Sequence, residues 1–82
     1  MINYYPKEKI YSFDKGFNNE EVRFALSETK GKICADIRVY MVEADGAKLA
    51  THKGIFIDVD KLPDFREGID QLIEAAKAKK GH

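Results

Sequence analysis

The chain reads as an α+β domain: a curved four-stranded antiparallel β-sheet followed by one C-terminal α-helix, in the order β-β-β-β-α. Between residues 9 and 58, apolar side chains recur at every second position in four runs, and glycine- or asparagine-bearing turns separate them. Beyond Asp58 the apolar period lengthens from two to about three and a half, which changes strand into helix. At 82 residues the chain makes a single domain.

The first run, Lys9 to Asp14, alternates Tyr11 and Phe13 with smaller or polar neighbours, and these rings, with Phe17, are assigned to core or edge packing. Lys15 to Asn19 (KGFNN) holds residues that tolerate left-handed backbone, so the chain turns there. From Glu21 to Glu28, Val22, Phe24 and Leu26 fall on one face and Arg23, Ala25 and Ser27 on the other, the pattern of a half-buried strand. Thr29-Lys30-Gly31-Lys32 supplies the next turn.

Ile33 to Glu43 is the longest run. At ~3.3 Å per residue it would extend ~36 Å, too far for a flat sheet in a small domain, so a bend or bulge is expected. Asp45-Gly46 is a tight hairpin turn, and the last strand runs from about Lys48 to Asp58. Gly54 interrupts that strand and marks a kink or close backbone approach. In the helix, Leu62, Phe65, Ile69, Leu72, Ile73 and Ala76 make one apolar stripe. Asp60 is the expected N-cap, with Pro63 in the first turn, and Gly68 marks a close contact with another backbone. Residues 1–8 are expected to form a flexible segment, 9–78 the domain, and 79–82 a frayed tail.

Composition narrows the function. Basic and acidic residues balance, 14 against 14, yet they are unevenly spread. Lys30 to Gly54 carries five basic and three acidic residues, whereas Asp58 to Glu74 carries six acidic and two basic ones. The ribbon is basic and the helix acidic; packed face to face they would leave one side of the domain attracting a polyanion, whereas on charge alone both read as ordinary solvated faces. Cys34 is the sole cysteine, which excludes an intrachain disulfide and, with two histidines, offers no metal cluster. No run has the length and apolarity of a signal peptide or membrane span, and a soluble, cytoplasmic protein is expected (nucleoid-associated if bacterial, nuclear if eukaryotic). A chain this short buries only ~60–65% of its unfolded surface, so oligomerisation is expected to supply the missing stability. No serine or cysteine stands in a recognisable catalytic arrangement and the glycines form no phosphate loop, so no enzyme, cofactor or small-molecule substrate is expected.

Lys30-Gly31-Lys32, Asp36-Ile37-Arg38 with Tyr40, Asp45-Gly46 and Lys53-Gly54-Ile55 together resemble the C-terminal domain of the transcriptional positive cofactor four family. That family spans eukaryotic coactivators and bacterial and phage relatives, and its fold is related to that of the Whirly proteins. The resemblance covers roughly residues 21 to 76. It implies a homodimer joined through the helices, with Leu62, Phe65, Ile69, Leu72 and Ile73 at the interface, each curved sheet offering its open face to single-stranded DNA. Lys30, Lys32, Arg38 and Lys53 fall on the family's basic positions and are implied phosphate contacts.

At Thr29 and Met41 the family commonly carries rings that stack on bases, and Glu20, Glu21 and Glu28 lie near positions where its members tend to be basic. Substitutes for the missing rings are Phe56, which alternates with Ile55 and Ile57, Tyr40 on the face of Arg38, and Arg23, whose plane stacks on bases or pairs with phosphate. Phe56 and Tyr40 read equally as dimer contacts or as rings covered by Tyr4-Tyr5-Pro6. Lys48 and His52 complete the candidate set, His52 also fitting a plain turn histidine. Two other functions stay open: a dimeric protein-interaction module on the same scaffold, and binding of RNA.

Overall fold

In the computed structural model, which describes residues 7–81, each alternating run is a strand: β1 (Lys7–Asp14), β2 (Glu20–Thr29), β3 (Lys32–Val42) and β4 (Lys48–Asp58). They form one antiparallel meander in the order β1-β2-β3-β4. A single 3-10 turn, Val59–Lys61, leads into helix α1 (Leu62–Lys80). β1 starts two residues before the alternation predicts, because Lys7 and Glu8 pair with Ser27 and Leu26. Residues 1–6, including Tyr4-Tyr5-Pro6 and most of the expected flexible segment, lie outside the described residues, as does His82.

The turns follow their residue types. Asn18 and Asn19 take left-handed backbone (φ 61° and 51°), the conformation that asparagine tolerates better than most side chains. Lys30 and Gly31 (φ 52° and 79°) close the β2–β3 connection with positive φ at both central positions, the twist that a two-residue hairpin needs. The next hairpin is wider than Asp45-Gly46 alone suggests: Glu43 N–H donates to Ala47 O at 2.7 Å, enclosing three residues.

Alternation gives the sheet two unlike faces. Val22↔Val39, Phe24↔Ile37 and Leu26↔Ala35 pair on one of them. Tyr11↔Phe24 and Ile37↔Ile55 carry this apolar face across all four strands. The opposite face holds Glu21↔Tyr40, Arg23↔Arg38, Ala25↔Asp36 and Ser27↔Cys34. Asp36↔Phe56 and Arg38↔Gly54 extend it onto β4.

Burial runs opposite to the usual rule. Buried positions on the polar face include Ser27, Asp36, Ala25 and Cys34, whereas Tyr11, Phe13, Ile33, Met41 and Ile55 of the apolar face are exposed. No helix or second sheet packs over the polar face among the described residues. Of the two readings of Tyr11, Phe13 and Phe17, core or edge packing, the core one fails, since they are 61%, 45% and 58% exposed. Tyr11 and Phe13 instead cluster with Phe24 on the uncovered side, ring centroids 5.9–6.2 Å apart.

The helix does not close this face. Leu62, Pro63, Phe65, Arg66 and Ile69 meet Phe24 and Ile37 around an open cleft of ≈600 Å³, and no residue of α1 is buried. The accessible surface is 6572 Å², against ~5,000 Å² for a compact monomer of this mass. The radius of gyration, 14.9 Å, likewise exceeds the ~12 Å of a compact domain.

Two local expectations shift. The N-cap role falls to Asp58, whose Oδ1 accepts from Asp60 N–H at 2.8 Å. Helix α1 proper begins after Lys61, which makes no side-chain cap, and Pro63 sits in its first turn. The stripe of lysines expected to fray stays helical through Lys80. Gly68 has nothing within 4 Å of the position its Cβ would take.

Gly54 is the point where β4 comes closest to β3. A Cβ there would lie 2.7 Å from the Ile37 carbonyl oxygen and 2.9 Å from Arg38 Cα, both backbone atoms that a rotamer change cannot move. Gly54→Ala is therefore expected to lower stability by ~1–3 kcal/mol in urea denaturation, the range for forced overpacking. Gly68→Ala, with open space around it, serves as the comparison that should not destabilise the isolated fold.

Candidate nucleic-acid interface

The pairing of β3 with β4 slips between Arg38 and Tyr40, where Arg38 faces Gly54 but Tyr40 already faces Ala50. β4 thus spends additional residues against one position of β3, which is how a bulge bends a strand. Thr51 secures the slip by donating its hydroxyl to Val39 O at 2.7 Å. Its carbonyl, freed from the ladder, accepts from Arg38 Nη1 at 2.9 Å, while Arg38 Nε donates to Asp36 Oδ1 at 3.0 Å. Arg38 is held from two sides, and its side chain is 18% exposed.

One strand away, Arg23 lies over the Tyr40 ring at 4.2 Å from its centroid. Its Nε and Nη2 both donate to Glu21 Oε2, at 3.1 and 3.0 Å. Lys48 donates to the other oxygen, Oε1, at 2.6 Å. At the far end Lys32 pairs with Asp58 at 3.1 Å. Phe56, half exposed, stands opposite Asp36.

Arg23, Lys32, Arg38, Tyr40, Lys48 and Phe56 therefore share the polar face, as the alternation predicts. Lys30 sits in the turn at its edge. Lys53 and His52 fall inside the slipped segment and do not join Arg38. Lys53 Nζ reaches Glu20 at 3.8 Å, and Glu20 pairs with Met41 in the register row of the apolar face. Met41 accordingly stands on that row, away from the cations. Thr29 is on the polar row opposite Lys32, and its hydroxyl and that of Ser27 are buried with no hydrogen-bond partner.

The carboxylates are what sequence reasoning did not place. Glu21, Asp36, Asp58 and Glu20 each hold a candidate cation. The signal was present as Glu21-x-Arg23 and Asp36-x-Arg38, opposite charges two residues apart on one strand face. Lys48 holds the Glu21 carboxyl below the usual glutamate range, and Arg23 adds to this. Lys15, at 2.9 Å, does the same for Glu20, aided by Lys53. The Asp60 amide lowers Asp58, with Lys32 contributing, and Asp58 in turn raises Lys32.

Among solved structures, the chain is similar to a PC4 homolog from Burkholderia pseudomallei, at TM-score 0.74 and 24% sequence identity, over 93% of this chain and 97% of that one. The likeness fixes the fold: a PC4-like four-stranded antiparallel sheet followed by a C-terminal helix. No family model matches the chain, and no curated protein matches it in sequence.

Because Glu20, Glu21 and Asp58 bind protons less readily when folded, the unfolded chain takes up more protons in acid. Their stabilisation is complete above the ordinary carboxylate values, ~4, and is lost as pH falls through the lower folded values. Urea midpoints measured from pH 6 down to pH 2 should fall through that window, and Glu21→Gln should flatten the fall while lowering the plateau.

Proposed function

We propose that the protein binds single-stranded DNA with little sequence preference, as a homodimer, through the polar concave face of each sheet. One observation carries this reading: Arg23 over Tyr40, Arg38, Lys48, Lys32 and the half-exposed Phe56 stand on one face of the sheet, opposite the helix. Cations interleaved with ring and guanidinium planes suit a strand whose phosphates and unpaired bases are both accessible. The shared fold with a PC4 homolog supports it, as does the family resemblance of the Asp-Ile-Arg and Lys-Gly-Ile segments.

The dimer follows from the other face. Ile69, Leu72 and Ile73 of α1 are 42%, 69% and 47% exposed, and Phe13, Ile33 and Ile55 of the sheet's apolar face are uncovered as well. Water-exposed apolar area of this extent belongs to a surface with a partner. The excess over a compact monomer exceeds ~1,000 Å², the scale of one protomer's share of an obligate homodimer interface. A second copy of the same helix and sheet meets that need. The open side of Gly68, next to Phe65 and Leu72 on the stripe, leaves room for a partner backbone.

A fluorescent oligonucleotide of about 20 unpaired nucleotides is expected to bind at low salt, better than its duplex, with log affinity falling by ~0.7 per displaced counterion as log salt rises. Arg38→Ala and Phe56→Ala should each weaken binding by about tenfold, consistent with ~1–3 kcal/mol per stacked base or charged contact. Absence of binding at ~100 μM protein in low salt refutes the reading. In light scattering the protein should elute at twice the chain mass. Its melting temperature should rise with protein concentration, and Ile69→Asp should abolish both.

A further inference from the structure

The Glu21 carboxylate sits where an anion bound to Arg23 and Lys48 would sit. Both of its oxygens are taken, Oε2 by two nitrogens of the Arg23 guanidinium and Oε1 by Lys48 Nζ. Arg23 presents a fork and Lys48 a point charge, the pair of donors that recognises a phosphate group. The site is built: Glu21 is 8% exposed, Arg23 is fixed over Tyr40, and the two cations come from different strands, 27 and 2 residues from the glutamate. The chain folds its own carboxylate into an anion seat.

We propose that Glu21 is a resident counter-anion that an incoming strand must displace, so that this residue limits the affinity and the salt sensitivity of the polar face. Resting on the single-stranded-DNA reading, the inference adds a mechanism of exchange: a backbone phosphate takes the Arg23 and Lys48 donors, and the Glu21 side chain gives them up. A phosphate that binds Arg23 and Lys48 releases cations condensed on the DNA but must also displace the Glu21 carboxylate, which offsets one of their two positive charges. Binding therefore gains less than the number of cations on the face suggests. Lys32 and Arg38 are likewise paired with carboxylates, Asp58 and Asp36. Glu21 holds two cations of the polar face at once. Removing its charge frees both without deleting any donor.

The test compares wild type, Glu21→Gln, Lys48→Ala and the Glu21→Gln/Lys48→Ala double variant, each titrated with a fluorescent single strand over a salt series, with circular dichroism to establish folding. Glu74→Gln, on an exposed part of α1 where it pairs with Lys77, makes the same change in net charge away from the face. Glu21→Gln should bind about tenfold more tightly at low salt, with a slope steeper by ~0.7 for the one unit of positive charge no longer offset on the face. Lys48→Ala should weaken binding far more in the Glu21→Gln background than in wild type.

Wild-type binding that Glu21→Gln leaves unchanged or weakens overturns the inference, as does an equal gain from Glu74→Gln. In both cases the single-stranded-DNA reading stands. Failure of every folded variant to bind overturns that reading and the inference with it. Binding by Glu21→Gln where wild type shows none supports the inference. Should Glu21→Gln not fold, Glu21→Asp keeps the charge but shortens its reach, and a smaller gain of the same sign is expected. No gain with Glu21→Asp overturns the inference.

Discussion

The contact on which the rest of the molecule depends is the approach of β4 to β3 at Gly54. Only the missing Cβ lets the two backbones close to this distance beside Ile37 and Arg38. Directly before it in β4 the register slips, and Thr51 turns its carbonyl and hydroxyl toward Arg38 and Val39. A long strand that would otherwise run straight is bent there. The bend also fixes the central arginine of the polar face, so one glycine is tied to both the bend and the position of Arg38.

Burial is inverted between the two faces. The small residues Ala25, Ser27 and Cys34 are buried on the polar face with Asp36, among long charged side chains that pair with one another, whereas the apolar rows leave Phe13, Ile33, Met41 and Ile55 open. Charges crowded on a concave surface cannot remain unpaired at low cost, and each arginine there has a carboxylate two residues away on its own strand. The zero net charge of the chain is thus a local property too. It reflects pairs that meet in space, and counting charges along the chain does not reveal them.

Much of the fold was legible because its signals are local. Alternation at period two gave four strands, the Asn18-Asn19 and Lys30-Gly31 pairs gave turns, and the stripe from Leu62 to Ala76 gave the helix. Gly54 was legible as a close approach for the same reason. The N-cap was misplaced because Asp58 and Asp60 are chemically alike, and only the 3-10 turn between strand and helix decides which carboxylate reaches an amide. Exposure of Tyr11 and Phe13 was not legible, since an alternating pattern specifies a face but not what covers it. For the candidate site, parity put Arg23, Arg38, Tyr40 and Phe56 on one surface. Lys53 rests on the family resemblance alone: parity puts it on the row of Ile55 and Ile57, and its Nζ reaches Glu20. The ion pairs depend on cross-strand geometry, as Lys48 and Glu21 are far apart in sequence and adjacent only after β2, β3 and β4 are registered.

The two faces are consequently coupled through the sheet itself. A partner that covers the apolar face gains most when Phe24, Ile37 and the helix stripe are splayed to receive it, and that geometry is the one that keeps the polar face concave. In a dimer, association then stabilises the bend at Gly54 and with it the placement of Arg38 against Thr51. If a ligand occupies the polar side and a second copy the apolar side, as proposed, the bend at Gly54 shapes both surfaces at once.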